Sequence, residues 1–278
     1  MFNFLMVAQN SEYDYVKQAC LCAMSIAYTN PNSKVSLITN DQVPEKYVQV
    51  FDNIIDIPWN DQARSASWKV QNRWKAYHVT PYEQTIMLDT DMLFLSNINC
   101  WNRLLEKYDL FFVDKVKTYR NQTIEHSYYR KAFREYSLPN IYTGLHYYKK
   151  TDTALEFYQL LKHIVNNWSK YLELFPKVKD YQNGLSIDLA AAMAIFILDN
   201  KTEVTSLSNL VTFTHMKPRD QKWKTLRTEL WRHRVIPYFT DNLELIVGNI
   251  KQQGVFHYTD KNFLNEDILK KYEKQLGI

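Results

Sequence analysis

The segment Thr85-Ile-Met-Leu-Asp89-Thr-Asp91-Met-Leu-Phe-Leu95 sets two carboxylates two residues apart between apolar runs. An apolar strand that ends in acids puts them where open α/β sheets bind ligands, at the carboxyl edge. Side chains alternate along an extended backbone, so Asp89 and Asp91 are expected on one side of it. Two hard oxygen ligands so placed suit Mg²⁺ or Mn²⁺ bridging a diphosphate, with phosphate oxygens and water completing the coordination. A bare D-x-D is a short pattern that polar loops carry freely. Its setting, between a buried strand and a second apolar run, gives it chemical meaning.

Competing chemistries lack their residues. The chain has 5 Gly, and no G-x-x-x-x-G-K run, no G-x-G-x-x-G after the first strand and no G-x-S-x-G elbow. Its 7 His show no H-E-x-x-H spacing, and no Cys cluster suggests zinc. Cys20, Cys22 and Cys100 are few and odd in number, so a disulfide framework is not expected and a reducing cytoplasm suits the chain.

The elements that must position the acids follow from periodicity. Phe2–Ala8 reads as a strand, and Val16, Ala19, Cys20, Ala23, Met24 and Ala27 mark an amphipathic helix stopped at Asn30-Pro31. Strands are expected at Lys34–Thr39, Asn53–Ile57, Thr85–Asp89, Leu110–Val113 and Ile141–Tyr148. Helices are expected at Arg64–Val79, Asn97–Tyr108, Asp152–Trp168, Leu185–Leu198 and from Asn265, with a basic helical stretch near 220–233. Short strands are expected near 235–239, 243–247 and 254–258. Strand and helix alternate through the first hundred residues, which predicts an α/β fold with a mostly parallel central sheet flanked by helices. No repeat or linker divides the 278 residues. One domain, 1–278, is expected, with lobes 1–113 and 114–278. The apolar run Leu189–Leu198 spans about half of the roughly 20 residues a membrane helix needs, so no membrane insertion is expected.

Arg73-Trp-Lys75, Leu88-Asp89-Thr-Asp91, Tyr142-Thr-Gly144-Leu and Phe256-His257-Tyr-Thr-Asp-Lys261 occur in that order over most of the chain. In these motifs the sequence resembles the A-type (GT-A) nucleotide-sugar glycosyltransferases. It looks most like the glycogenin-like branch with its lipo-oligosaccharide galactosyltransferase relatives, and phage-encoded transferases share the flavour of the Asp-Thr-Asp-Met-Leu-Phe segment. The resemblance implies the GT-A fold, with an acceptor-side lobe and a closing C-terminal loop in 114–278.

It also implies that Asp89 and Asp91 hold a Mn²⁺ or Mg²⁺ ion, with His257 as third ligand. Ala8, Gln9 and Asn10 would hold the nucleoside. Arg73 and Lys75 would contact donor sugar or phosphate, Gly144 would let the backbone approach the donor, and Lys261 would offset diphosphate charge. Asp114 and Asp188 would meet the transferred sugar as catalytic acids. Asn10 and Asp188 fit helix N-caps as well. The sequence departs from the family in three places. Tyr142 stands where the motif usually has Asn, the Gln beside Asp188 is missing, and the spacing from His257 to Lys261 is short. The stereochemical outcome stays open.

The net charge of +4 is unevenly spread. Residues 115–134 carry six Lys or Arg against Glu125, and residues 215–234 carry seven against Asp220 and Glu229. Tyr119, Trp223 and Trp231 lie among them. Lys217, Lys222, Lys224 and Arg227 are thus candidate acceptor-side residues for a polyanion, while Trp223, Leu226 and Leu230 fit equally the buried stripe of a solvated basic helix. The sequence predicts a soluble, metal-dependent transferase. It would move a sugar from a nucleoside diphosphate sugar, with UDP the expected nucleotide, to a hydroxyl of a glycan or of a hydroxylated base in DNA. The alternatives are a catalytically silent nucleotide- or carbohydrate-binding protein and a nucleotidyltransferase.

Overall fold

The computed structural model describes residues 2–60, 72–125, 130–175, 184–198, 204–205, 212–221, 223 and 231–278. The first apolar runs form parallel strands β1 (Asn3–Val7), β2 (Lys34–Ile38), β3 (Asn53–Ile55) and β4 (Gln84–Leu88). They continue into a seven-stranded sheet through β6 (Leu110–Val113), β7 (Tyr142–Lys149) and β8 (Val204–Thr205), in the order β3-β2-β1-β4-β7-β6-β8. β7 runs antiparallel to both β4 and β6, and the other pairs are parallel. The expected mostly parallel sheet is present, with one reversed strand.

Alternation along the strands fills both faces of this sheet. Phe4, Met6, Ile86, Leu88, Phe111 and Val113 belong to one buried cluster, while Leu5, Met87, Leu110 and Phe112 belong to the other. The first face is covered by α1 (Tyr15–Thr29) and α4 (Glu266–Leu276), which pack against each other. The second is covered by α2 (Asp152–Asn166) and α3 (Ile187–Ile197). Each of the four starts with a side-chain cap, from Asp14, Asn265, Thr151 and Ser186 in turn, which satisfies an otherwise unpaired backbone N–H.

Two small sheets accompany the large one among the described residues. β5 (Met92–Phe94) pairs antiparallel with β13 (Val255–His257), which lies parallel to β9 (Phe213–His215). β10 (Pro237–Phe239), β11 (Leu245–Val247) and β12 (Ile250–Lys251) form an antiparallel meander. Gly254 makes the first of these sheets possible. Its φ is +70°, and a Cβ there would lie 2.1 Å from the Thr212 carbonyl oxygen.

Some expected elements are shorter. Of the helix expected over Arg64–Val79, the described part is a single 3₁₀ turn, Arg73–Lys75, followed by Ala76–Val79; residues 61–71 lie outside the described residues. The helix expected over Asn97–Tyr108 is a 3₁₀ turn, Asn99–Trp101, and one helical turn, Asn102–Leu105. Ile98, Trp101 and Leu105 are buried at helical spacing, but asparagine side chains compete for the backbone: Asn97 Oδ1 accepts from the Asn99 N–H at 2.8 Å. Near 220–233, Trp231–His233 is a 3₁₀ turn with Trp231 buried, and residues 222 and 224–230 lie outside the described residues. Cys20, Cys22 and Cys100 are free. Among the described residues no helix is long and apolar enough to cross a membrane.

Candidate functional site

β4 ends at Leu88 beside the start of β7, where the Asp89 N–H donates to the Gly144 carbonyl at 2.8 Å. Thr90 and Asp91 then turn in a bend that carries the chain from the large sheet into β5. The acids therefore do not share one side of an extended strand, as alternation predicts. The bend separates them and β13 brings a third group to meet them, because His257 pairs with Met92 in register and the Tyr258 N–H donates to the Asp91 carbonyl at 3.2 Å. One ligand atom each of Asp89, Asp91 and His257 lies within 4.8 Å of the others.

Each carboxylate already faces cations. Arg73 donates from Nη1 to Asp89 Oδ1 at 2.6 Å and from Nη2 to the Thr143 carbonyl at 2.9 Å. Asp91, only 5% exposed, accepts from His257 Nε2 at 2.9 Å and from the Lys261 ammonium, both at Oδ2. Burial opposes the charge on Asp91, yet His257 and Lys261 outweigh it and hold its carboxyl well below the usual carboxylate range. Burial likewise opposes the charge on Lys261, and Asp91 overcomes it, raising the ammonium pKa.

Gly144 leaves the space that Asp89 uses: a Cβ at this position would stand 2.7 Å from Asp89 Oδ2 and 3.2 Å from Met92 Cε. The donor set therefore fits a hard divalent ion. Two carboxylates and an imidazole converge in a cradle that a side chain at 144 would fill, and a lysine ammonium sits on Asp91 in the manner of a cation.

A cavity of about 320 Å³ opens above these groups, lined by Val7, Tyr15, Arg73, Asp91, Thr259 and Lys261 among others. A second, of about 410 Å³, adjoins it, with Arg73, Asp89, Lys217 and His257 lining both. Tyr142, Gly144, Asp188, Phe213 and His215 face the second cavity. Asp188 is not a helix cap. Ser186 caps α3 and leaves Asp188 in its first turn, from where Oδ1 accepts from Thr143 N–H at 2.9 Å and Thr143 Oγ1 at 2.5 Å, while Oδ2 pairs with Arg130 at 2.9 Å. Burial raises the Asp188 pKa, but Arg130 and the Thr143 donors bring it below the usual value.

Other expected residues lie elsewhere. Ala8 and Gln9 are buried behind the end of β1. Asn10 ties the loop to α1, its Oδ1 accepting from the Val16 N–H at 3.0 Å and its own N–H donating to Asp41 at 2.6 Å. None of the three is among the residues lining the cavity, where Val7 and Tyr15 take that place. Lys75 sits over the rings of Trp59 and Trp74, at 5.4 and 5.9 Å, and is in neither lining. Asp114 follows β6 and is in neither lining. Lys217 is exposed at the junction of the cavities; Lys222, Lys224 and Arg227 lie outside the described residues.

The basic segment 115–134 is partly consumed internally, since Arg130 is buried against Asp188 and stacks 3.6 Å above the Tyr142 ring, and Lys131 pairs with Glu135 at 3.6 Å. Sequence reasoning missed Thr143 and the ion pair of Arg130, as well as His215, whose Nδ1 lies 2.7 Å from Asp220 Oδ2. The Tyr142-Thr143-Gly144 motif pointed toward the first; nothing in the local sequence marked Arg130 as buried.

No family model and no curated protein matches the sequence. Solved structures do match in fold. Over 98% of this chain and 96% of the other, the structure is similar to the galactosyltransferase LgtC in complex with donor and acceptor sugar analogues, with a TM-score of 0.53 and 14% identity. A glutamine-to-glutamate active-site mutant of LgtC matches with a TM-score of 0.54 and 13% identity, over 99% of this chain and 95% of that one. The central sheet and its helices on both faces are arranged in the GT-A fold of these glycosyltransferases.

Proposed function

We propose that this chain is a metal-dependent glycosyltransferase that transfers a sugar from a nucleoside diphosphate sugar, a UDP-sugar, to a hydroxyl of a saccharide. One observation carries the reading: Asp89, Asp91 and His257 converge within 4.8 Å at the carboxyl edge of the sheet, on the floor of paired cavities. That grouping, in a GT-A fold similar to an enzyme solved with donor and acceptor sugar analogues, favours catalysis over silent binding.

Asp89, Asp91 and His257 would hold Mn²⁺ or Mg²⁺. When bound, the ion supplies a Lewis acid that draws off negative charge as the diphosphate leaves. Arg73 and Lys261 add positive charge at the lining of the same cavity. In the second cavity Asp188, held between Arg130 and Thr143 and kept ionised by them, would meet the transferred sugar. The second cavity, with its aromatic wall of Tyr142 and Phe213 and its polar rim, suits a saccharide, which presents both apolar ring faces and hydroxyls. The reading prefers a glycan to DNA because Arg130 and Lys131 are engaged within the protein.

The test is mass spectrometry of reactions containing protein, Mn²⁺, each of several UDP-sugars, and either a saccharide acceptor or hydroxymethylated DNA. A hexose or pentose added to the saccharide is the expected product. Modified DNA nucleosides without saccharide product would overturn the acceptor assignment, and consumption of no donor under any condition would overturn the transferase reading.

A further inference from the structure

We propose that Lys261 is a displaceable internal counter-cation of the acidic pair, which makes divalent-ion binding and diphosphate binding depend on each other. This rests on the donor-site reading above. The floor of the cavity holds two carboxylates and two side-chain cations, Arg73 on Asp89 and Lys261 on Asp91. The charges are thus compensated before any ligand arrives.

The two cations are held in different ways. Arg73 is clamped at both ends of its guanidinium, by Asp89 at 2.6 Å and by the Thr143 carbonyl at 2.9 Å. The Lys261 ammonium has Asp91 and the face of Tyr15, its centroid 5.4 Å away, as its described contacts. Its backbone is anchored separately. Gln18 Nε2 donates to the Lys261 carbonyl at 3.3 Å, and neighbouring Asp260 accepts from Arg232 Nε at 2.6 Å and from Asn262 N–H at 3.0 Å. The ammonium can therefore leave Asp91 on its flexible stem while the loop stays in place.

Asp91 Oδ2 carries both His257 Nε2 and the Lys261 ammonium. An oxygen so engaged is a poor ligand until the ammonium moves away. Once moved, Lys261 stands beside a like-charged ion, which is unfavourable in a part-buried site unless an anion accepts it. A diphosphate is such an anion. Divalent ion alone must break the Lys261–Asp91 pair without replacement, whereas ion and diphosphate together exchange one partner of Lys261 for another. The resulting coupling is reciprocal by linkage.

The test is calorimetric titration of Mn²⁺ into the full chain, with and without UDP. Without nucleotide, Lys261→Met is expected to bind Mn²⁺ at least about tenfold more tightly than wild type, and the gain that UDP gives to Mn²⁺ affinity should shrink by a similar factor. Lys261→Arg keeps the cation and should bind Mn²⁺ no better than wild type. A purely structural role would weaken Mn²⁺ binding in both variants. Equal or weaker Mn²⁺ binding by Lys261→Met, alongside loss of binding in Asp91→Asn, leaves the metal site standing and overturns the counter-cation role. Unchanged Mn²⁺ binding in Asp91→Asn overturns the donor-site reading, and this proposal with it.

Discussion

Asp89 owes its position to a missing side chain and a neighbouring guanidinium. Because a Cβ at 144 would meet Asp89 Oδ2 at 2.7 Å while Arg73 pins Oδ1, Gly144→Ala should push the carboxylate off the site. Mn²⁺ affinity in the presence of UDP is expected to fall at least about tenfold, with a stability loss near 1 kcal/mol, of the size usual for point substitutions; titration and urea unfolding check the two halves. Asp188 touches neither Asp89, Asp91 nor His257 in the described contacts, and pairs instead with Thr143 and Arg130. Asp188→Asn is therefore expected to lower turnover about a hundredfold or more while Mn²⁺ binding stays at the wild-type level.

A residue-scale pH effect belongs to His146, buried with Nδ1 2.8 Å from the Thr143 carbonyl and Nε2 2.8 Å from the Tyr158 hydroxyl. Burial, with Arg73 adding to it, lowers its pKa to about 3. The unfolded value is higher, near 6.5, so the unfolded chain takes up the proton first. The stability this neutral ring contributes is complete above about pH 6.5 and is lost as pH falls toward 3, at up to about 1.4 kcal/mol per pH unit. His146→Gln should flatten the fall of unfolding free energy between pH 6.5 and 5; an unaltered slope would contradict the assignment.

At the scale of elements, the site depends on a small sheet that brings His257 to a bend. Gly254→Ala would force a Cβ to 2.1 Å from the Thr212 carbonyl oxygen at a φ of +70°. It is expected to cost about 2 kcal/mol or more, seen as a lower urea midpoint, and to weaken Mn²⁺ binding through His257. The mostly parallel sheet flanked by helices was legible because strand and helix periodicities alternate through the first hundred residues, whereas the order β3-β2-β1-β4-β7-β6-β8 is set by pairing between distant segments. The bend at Thr90–Asp91 was not, because a D-x-D between apolar runs is compatible with an extended strand and only pairing of β5 with β13 decides otherwise. β9 and β12, of 3 and 2 residues, are too short to leave a periodic signal. Asp89, Asp91, His257, Arg73, Gly144 and Lys261, named from separate motifs, lie around one acidic pair and Asp188 lines the adjoining cavity; the contact of Lys75 with the Trp59 ring joins distant segments and is not encoded by spacing.

Over the whole molecule, the +4 charge says less than its internal pairing. Part of the basic excess at 115–134 is spent on Asp188 and Glu135, and the acidic pair is balanced by Arg73 and Lys261. Ligands that rearrange those pairs should register as global stability. At a concentration near a hundred times its dissociation constant measured with UDP bound, Mn²⁺ is expected to stabilise the UDP-bound protein by about 2.7 kcal/mol, roughly 5 °C or more in Tm for a chain of this size. The same Mn²⁺ concentration without UDP should give a smaller shift. Additive shifts would contradict the coupling through Lys261.

The proposed divalent-ion site of Asp89, Asp91 and His257 would serve a nucleotide-sugar donor. Release of UDP from UDP-sugars by wild type and Asp91→Ala, with Mn²⁺ and with chelator, tests it most directly. Wild type should turn over donor in a way that chelator abolishes and Mn²⁺ restores, and Asp91→Ala should show at least about a hundredfold less turnover. Equal turnover by the two proteins, or turnover indifferent to chelator, would contradict the metal site.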